Sequence, residues 1–224
     1  MKEYYKAYDE RYRRVHERDL VWFHDTPTPI VGEVLSRFGI PKSDPILELG
    51  CGEGRDAFPL LKEGYRLLAT DVSPEAISFC RKQMPEYKDR FQVLDCVKDG
   101  LSQRFSMIYA IALLHMLVDD GDRQALLRFF RTHLAADGIA LLCSMGDGEG
   151  ESRTDPALAF DREDRIHEQT GTLLSIPKTS FRMVSFSDLR AEVEEAGLSV
   201  LEMGLTDGTP DYFALMYALC QRKK

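Results

Sequence analysis

The sequence lacks the clusters of cysteine and histidine that define disulfide frameworks and zinc sites. It has five cysteines among 224 residues, an odd number, and contains no Cys-x-x-Cys pair. This usage predicts a reducing compartment and no metal site. No apolar run reaches the length of a membrane span, and the first residues lack the apolar core of a signal peptide. We therefore expect a cytoplasmic protein with no membrane partner.

The sequence also lacks an excess of positive charge. Its 29 lysine and arginine residues face 37 acidic ones, which gives a formal net charge of −8 and a pI of about 5.2. Such a charge disfavours a nucleic-acid partner, because phosphate backbones attract basic surfaces. The length and the 44% hydrophobic content fit one α/β domain with room for a lid. We expect it to act as a monomer or a homodimer.

A buried strand, a glycine turn and a helix are predicted near residue 50. Residues 46–49 are largely apolar, as in a parallel strand that is covered on both faces. Gly50, Gly52 and Gly54 follow, and glycine lets another group approach the backbone closely. Residues 57–61 then show apolar side chains at helical spacing. The turn would thus deliver a helix N-terminus toward a nucleotide-like ligand.

Two acids follow at the ends of the next two predicted strands. Asp71 comes 21 residues after Gly50, where a carboxylate can accept hydrogen bonds from both ribose hydroxyls. Asp95 ends the third strand and is a candidate acceptor for an adenine amino group. In a dinucleotide-binding turn the third glycine would stand at Arg55, but here it stands at Gly54. This spacing counts against an NAD(P)-dependent oxidoreductase, which stays as an alternative.

The string Glu48-Leu49-Gly50-Cys51-Gly52-Glu53-Gly54, followed by Asp71 and Asp95, resembles the class I, Rossmann-like S-adenosylmethionine-dependent methyltransferases. The resemblance covers roughly residues 30–222. It implies an α/β fold with a seven-stranded, mostly parallel sheet, a C-terminal antiparallel hairpin, helices on both faces and an N-terminal helical lid. It also implies methyl transfer from S-adenosylmethionine, which becomes S-adenosylhomocysteine. The acceptor would be a small-molecule nucleophile: a thiol, metalloid, amine or hydroxyl.

Residues 50–56 are also similar to the subset of these enzymes that methylates small thiols, metalloids and other soft nucleophiles. A non-catalytic S-adenosylmethionine-binding subunit would share every cofactor motif and stays as a second alternative. The two classes differ in turnover, since a passive subunit binds the cofactor but transfers no methyl group.

The resemblance further implies the residues of the site. The glycine turn would hold the amino-acid end of the cofactor, Asp71 the ribose, and Asp95 with the following backbone the adenine. The predicted cofactor-binding residues are Glu48, Gly50, Cys51, Gly52, Gly54, Asp71, Val72, Asp95, Cys96, Ala112, Tyr8 and Trp22. His115 follows the fourth strand, where the family faces the methyl group, and is the predicted catalytic side chain. The alternative is a histidine that holds a loop through a backbone hydrogen bond.

Two segments stand outside the alternation of strands and helices. Residues 1–24 carry Tyr4, Tyr8, Tyr12 and His16 at four-residue steps, which predicts one or two amphipathic helices. Their rings either pack on the domain, cover the cofactor as a lid, or do both. The rest of the chain, 25–224, would form the cofactor-binding domain.

The second segment is an insertion at about 146–180. It follows strand five at the carboxyl edge, where open α/β sheets bind ligands, and so is expected to choose the acceptor. Arg153, Arg162, Arg165 and Arg182 would either bind an anionic acceptor or form a solvated surface.

The remaining elements are predicted from their boundary signals. A helix after Asp122 would close at Asp137-Gly138 and be followed by a strand over 139–145. The last helix would begin at Ser187. Two strands, 199–205 and 212–220, would then form a hairpin around a turn at 206–211.

Overall fold

A computed structural model of the protein describes residues 3–22, 26–206 and 215–223. The helices are α1 (Ala7–His16), α2 (Pro29–Arg37), α3 (Ala57–Lys62), α4 (Pro74–Gln83), α5 (Asp120–His133) and α6 (Phe186–Glu195). The strands are β1 (Ile46–Leu49), β2 (Leu67–Asp71), β3 (Phe91–Val93), β4 (Phe105–Ile111), β5 (Leu134–Met145), β6 (Ser152–Arg153), β7 (Arg162–Ile166), β8 (Leu173–Pro177), β9 (Arg182–Met183), β10 (Leu198–Thr206) and β11 (Leu215–Arg222). None of the helices in these ranges is both long and apolar enough to cross a membrane.

Seven strands form the main sheet, in the order β10-β11-β5-β4-β1-β2-β3. The strands from β1 to β5 are mutually parallel, with Ile46 of β1 opposite Leu67 on one side and Met107 on the other. β11 runs antiparallel to both β5 and β10. The predicted mostly parallel sheet with a C-terminal antiparallel pair is confirmed. Most of the turn predicted at 206–211, and Tyr212, lie outside the described residues.

Alternating side chains of β1 pack into two cores, one on each face of the sheet. Leu47 and Leu49 pack with the buried side chains of α5 and α6. Ile46 packs on the opposite face with those of α2, α3 and α4. This alternation follows from the two-residue period of a strand. Since β1 is covered on both faces, its carboxyl end, with the glycine turn that follows, is held at a fixed place on the sheet edge.

Two predicted boundaries are wrong. β5 begins at Leu134, directly after α5, and runs through Asp137-Gly138, which was predicted to close the helix. The extra length is accommodated by a register shift against β4 between Phe105 and Met107. The last helix begins at Phe186, before the predicted Ser187, because the Ser185 side chain accepts a hydrogen bond from the backbone N–H of Asp188 and caps the helix.

The insertion after β5 consists of two small antiparallel ribbons. β7 pairs with β8, and β6 pairs with β9. α1 packs against β8, where Val15 forms a small apolar cluster with Leu174 and Ile176. The N-terminal helix therefore rests on the insertion as well as on the main domain.

Candidate functional site

The glycine turn after β1 is fixed by hydrogen bonds to the end of β2. The N–H of Cys51 donates to the Thr70 carbonyl at 2.9 Å. The N–H of Gly52 donates to Asp71 Oδ2, also at 2.9 Å. Gly50 has a φ of +73°, and a Cβ there would come within 3.1 Å of the Leu113 side chain. Only glycine fits this conformation without strain, so the turn presents bare backbone to the space above it.

Asp71 is a buried carboxylate with acceptor capacity to spare. Besides the bond from Gly52, its Oδ1 accepts from the Ser73 N–H at 2.8 Å. An ionised carboxylate offers about four lone-pair sites, so two backbone donors leave room for two hydroxyls. Burial raises the pKa of Asp71 to about 6, although the N–H groups of Ser73 and Gly52 oppose the rise. The group is thus mostly ionised at neutral pH.

Asp95, one strand further along the same edge, is contacted by the N-terminal segment, which we define as residues 3–22. Its Oδ2 accepts a hydrogen bond from the Tyr5 hydroxyl at 3.1 Å and lies 3.4 Å from Lys6 Nζ. Its Oδ1 accepts from the N–H of Val97 at 3.1 Å. The N-terminal segment therefore closes directly over Asp95.

Glu48 supplies a test of whether the site fits the implied cofactor. The residue is 3% exposed, and its Oε2 has no hydrogen-bond partner among the described residues. Burial raises the pKa of Glu48 well above its usual value, although the neighbouring Tyr109 hydroxyl opposes the rise. A buried polar atom without a partner is costly unless a ligand supplies one. The ammonium group of S-adenosylmethionine is such a partner, and the bare backbone at Gly50 leaves room for its amino-acid tail.

Most of the predicted cofactor-binding residues line one cleft at this edge, which has an empty volume of about 880 Å³ including its opening to solvent. Those that line it are Tyr8, Glu48, Gly50, Cys51, Gly52, Asp71, Val72, Asp95, Cys96 and Ala112. Gly54 and Trp22 are not among the lining residues. A Cβ at Gly54 would approach the Phe58 ring to 2.4 Å, which ties this glycine to packing of the turn on α3.

Cys51 lies in the turn but is unsuited to be a nucleophile. It is buried, and the pKa of its thiol is raised well above the usual value by its hydrogen bond with Cys80 and by burial. A nucleophilic cysteine needs the opposite shift, because the thiolate is the reactive form. The side chain therefore packs beneath the turn as a small apolar group.

The N-terminal segment is tied to the rim of the cleft by polar contacts. Asp9 Oδ1 accepts from the Ser73 hydroxyl at 2.7 Å and from the Glu75 N–H at 3.1 Å. The Tyr4 hydroxyl donates to Asp122 at 2.8 Å. Tyr5, like Tyr8, lines the cleft. The rings therefore both pack on the domain and cover the cleft.

His16 joins the segment to two carboxylates at once. Its Nδ1 lies 2.8 Å from Glu75 Oε1, and its Nε2 lies 2.8 Å from Glu53 Oε1. A neutral imidazole carries one N–H, so only the doubly protonated ring donates to both. Burial alone would lower the pKa of His16, but the bonds to Glu53 and Glu75 outweigh it and raise the pKa above its usual value.

We expect closure of the N-terminal segment to weaken as the pH rises. The pKa of His16 is higher in the folded chain than the roughly 6.5 of an unfolded one, so its stabilisation is complete below that value and is lost as the pH rises through the folded pKa. The loss should be roughly 1–2 kcal/mol. As the pH rises above about 6.5, amide exchange of α1 should quicken by more than its intrinsic increase, because the raised pKa of His16 is then being crossed. The variant His16→Gln should lack this extra step; an identical profile would contradict the role of His16.

A second cavity, which we call the chamber, lies between the N-terminal segment, the turn after β4 and the insertion. Its empty volume is about 2420 Å³, open solvent included. Trp22 and His115 line the chamber, whereas Tyr8 and Met116 line both the chamber and the cleft. The two cavities therefore meet at Tyr8 and Met116.

His115 is buried where it lines the chamber, and its imidazole ring is neutral. Burial, with a smaller contribution from the Arg123 cation, lowers the pKa of His115 to about 3. The N–H of Met145 donates to its Nδ1 at 3.3 Å, so Nε2 carries the ring hydrogen. Ala112, three residues before His115, has a φ of +56°, a strained conformation that turns the chain after β4. His115 is thus suited to donate a hydrogen bond and poorly suited to take a proton.

The structure brings to the site residues that the sequence did not single out. Arg55 and Asp56 line the cleft. Arg55 and Asp56 directly follow the glycine turn, so their position was a usable signal. Arg11 lines the chamber. Nothing in the sequence separates Arg11 from the other arginines of its charged helix.

Comparison with known proteins agrees with this geometry. Residues 47–140 match the model of a family described as a methyltransferase domain. These residues include the glycine turn, both acids and His115. No curated protein matches the sequence.

Several solved structures share the fold. The CcbJ methyltransferase from Streptomyces caelestis superposes with a TM-score of 0.70 at 18% identity, over 96% of this chain and 99% of that one. The 1,6-didemethyltoxoflavin-N1-methyltransferase from Burkholderia thailandensis has a TM-score of 0.70 at 15% identity, over 100% and 92% of the two chains. The glycopeptide N-methyltransferase MtfA complexed with S-adenosylmethionine has a TM-score of 0.65 at 21% identity, over 89% and 88%.

The topology of the sheet and the matched segment agree. Residues 47–140 match a methyltransferase domain, and the whole chain shares its fold with methyltransferases of the class I, Rossmann-like type. Structures of the glycopeptide N-methyltransferase MtfA are complexed with S-adenosylmethionine and with S-adenosylhomocysteine. Because the matched segment includes the glycine turn and both acids, it counts further against the NAD(P)-dependent alternative.

Proposed function

We propose that this protein is an S-adenosylmethionine-dependent methyltransferase. It transfers the methyl group on the sulfonium of S-adenosylmethionine to a small-molecule nucleophile held in the chamber, by in-line displacement, and S-adenosylhomocysteine is the second product. The observation that carries this proposal is the meeting of cleft and chamber at Tyr8 and Met116, because an acceptor there would face the cofactor's sulfur end. S-adenosylmethionine supplies the electrophilic carbon, so the protein has to align the reactants and exclude water.

The predicted binding roles are distributed along the cleft. Asp71 accepts hydrogen bonds from the ribose hydroxyls, and Asp95 accepts one from the adenine amino group. Glu48 receives the ammonium group. Tyr8 covers the cofactor from above; Trp22, predicted as a cofactor contact, lies instead on the chamber side. In our proposal residues 1–24 act as the lid of a domain formed by 25–224, and the insertion at 146–180 completes the chamber.

The protonation state of His115 limits the chemical class of the methyl acceptor. A buried ring whose Nδ1 accepts a hydrogen bond and whose pKa is lowered to about 3 is a poor base for deprotonating a hydroxyl. His16, in the N-terminal segment, already contacts two carboxylates through its two ring nitrogens. Thiolates, metalloid anions and neutral amines need no base, because their lone pair is already available. Two of the similar structures are N-methyltransferases by name. We therefore favour a thiol, metalloid or amine acceptor over a hydroxyl, with His115 positioning it.

The setting is proposed on separate grounds. All five cysteines are free, and Cys51, Cys80, Cys143 and Cys220 are buried. Reduced cysteines suit a cytoplasmic enzyme. A monomer or a homodimer stays a prediction.

A methyl-transfer screen tests the proposal. The enzyme and methyl-labelled S-adenosylmethionine would be incubated with pools of thiols, amines, hydroxyl compounds and metalloid oxyanions. We expect labelled product and equimolar S-adenosylhomocysteine from a thiol, amine or metalloid pool. Tight binding of S-adenosylhomocysteine without transfer to any pool would contradict the proposal and favour a passive cofactor-binding subunit. Transfer confined to the hydroxyl pool would contradict the role given to His115.

A further inference from the structure

Arg11 is a buried arginine that no carboxylate neutralises among the described residues. The residue is 6% exposed. Its Nη2 donates to the carbonyls of Pro177 and Lys178 at 3.0 Å and to the Thr179 hydroxyl at 2.8 Å. Its Nε is fully buried and has no hydrogen-bond partner there. Burial lowers the pKa of Arg11, and the nearby Tyr8 and Glu163 oppose the fall. Glu163 pairs with Arg165, so Arg11 has no ion pair with a carboxylate of the described residues.

Arg123 shows how the same chain treats a buried arginine with a structural role. It is fully buried, and its Nε and Nη2 donate to the two carboxylate oxygens of Glu192 at 2.9 and 2.7 Å. Such a bidentate pair offsets much of the desolvation cost of burying the charge. Arg11 bears a similar cost without that anion. Its three acceptors on one nitrogen hold the guanidinium in place but leave its charge uncompensated.

The guanidinium of Arg11 lies over two aromatic rings, those of Tyr8 and Trp22. Its central carbon lies 5.2 Å from the Tyr8 ring centre and 4.9 Å from that of Trp22. All three side chains line the chamber, and Tyr8 also lines the cleft. Thr179, which anchors Arg11, has a φ of +63°, a conformation that a β-branched residue rarely adopts. The surroundings therefore impose this arrangement at the expense of backbone strain.

The other charges of the chamber and insertion are engaged or lie at the rim. Arg165 pairs with Glu163 at 3.0 Å, and Arg162 pairs with Glu10 at 3.3 Å. Arg182 bonds Asp120 and the Val118 carbonyl. Arg153 and the chamber acids Asp155, Asp164 and Glu168 are exposed, where solvent screens them. None of the four arginines predicted from the sequence as an anion site lies in the chamber both buried and unpaired.

We propose that Arg11 binds a carboxylate of the methyl acceptor, so that the substrate is a small carboxylic acid that also carries the nucleophile. A planar carboxylate matches the planar guanidinium and supplies the negative charge that would pair with Arg11. A phosphate dianion would call for a second cation, and the neighbouring arginines are engaged elsewhere. The proposal rests on the function given above, in that the chamber holds the acceptor.

Trp22, the only tryptophan of the sequence, reports on this site without any need for turnover. Benzoate and its uncharged analogue benzamide would be titrated against the enzyme saturated with S-adenosylhomocysteine, with Trp22 emission as the readout. We expect a saturable change with benzoate, and binding of benzamide weaker by at least about tenfold, since the charge-assisted bond is absent. Phenylphosphonate distinguishes a phosphate-type site, and tighter binding of it than of benzoate would overturn the choice of carboxylate.

Variants then assign the effect to Arg11. Arg11→Gln should weaken the binding of benzoate by at least about tenfold and leave the binding of benzamide unchanged. Arg11→Lys should bind benzoate with intermediate affinity, because it keeps the positive charge but loses the two parallel N–H donors of the guanidinium. Arg18→Gln, which removes an exposed arginine of the same segment, should bind like the unaltered enzyme. Equal binding of benzoate and benzamide by the unaltered enzyme would overturn the proposal, whether or not the variants fold. So would unaltered benzoate affinity in a folded Arg11→Gln variant.

Acceptor kinetics separate this inference from the proposed function. In the transfer screen, matched pairs would differ only in the carboxylate, such as 3-mercaptopropionate against 2-mercaptoethanol. We expect kcat/KM to favour the acid by about tenfold or more, and Arg11→Gln to abolish the preference through KM. Transfer that ignores the carboxylate overturns the role of Arg11 and leaves the proposed function standing. Selective binding of benzoate without methyl transfer to any pool overturns the proposed function and leaves the carboxylate site at Arg11 standing.

Discussion

An enzyme without residues 1–24 should bind S-adenosylhomocysteine weakly and lose methyl transfer by more than about 100-fold, while its seven-stranded sheet still forms. The reason is geometric, since Tyr5 and Tyr8 cover the cleft and Arg11 and Trp22 line the chamber. Without them both cavities open to water, and the alignment of the reactants is lost. Turnover with a saturating acceptor, compared with the full chain, is the measurement.

A milder variant guards against a deletion that simply unfolds. Asp9→Ala combined with His16→Ala removes the side-chain ties to Ser73 and Glu75 and one of the contacts to Glu53, and it leaves the buried tyrosine rings in place. It should raise KM for both substrates with little change in thermal stability. Normal rates in the folded deletion variant would end the assignment of this segment as a lid.

The second large effect is expected for Asp71→Asn, which should weaken S-adenosylhomocysteine by about 1–3 kcal/mol, or roughly 5- to 150-fold in Kd. An amide cannot replace the carboxylate as acceptor of two ribose hydroxyls while also receiving the Gly52 and Ser73 N–H groups. Calorimetric titration measures the change. Asp89→Asn, at an exposed site remote from the cleft, is the matched control.

The pH profile adds a second readout for Asp71. Because burial raises its pKa to about 6, the ionised form that accepts hydroxyls is lost as the pH falls through that value. Cofactor affinity should therefore decline below about pH 6 in the unaltered enzyme and decline less in Asp71→Asn. Equal affinities of the two proteins at neutral pH would remove Asp71 from the ribose site.

The order of the main sheet and the position of the cleft were predictable because local signals agree there. An apolar run, a glycine turn and a strand-end acid each follow from backbone geometry, and parallel strands bring Gly50, Asp71 and Asp95 to one edge. The start of α4 is just as local, since the Ser73 side chain accepts a hydrogen bond from the Ala76 N–H and caps the helix. Here neighbours in sequence determine the structure.

The chamber was not predictable, because it is made by contacts between distant segments. Arg11 meets Pro177–Thr179 more than 160 positions further along the chain, and no periodicity encodes that meeting. The strands of the insertion are at most five residues long and β7 is almost wholly exposed, so they carry too little apolar alternation to be predicted from the sequence. The early start of β5 was missed because Asp137-Gly138 resembles a helix stop, whereas pairing with β4 overrides it.

The ties of the N-terminal segment have a kinetic consequence. Its helix is fastened on one side to the cofactor half, through Asp9 and His16, and on the other to the insertion, through Arg11 and through Tyr8, whose hydroxyl lies 3.3 Å from the Ser180 carbonyl. A single lifting of this helix therefore unlocks both compartments together. Exchange of spent cofactor and departure of methylated product should share one slow step, so viscosity and pH would govern the catalytic cycle as much as the reactivity of the nucleophile.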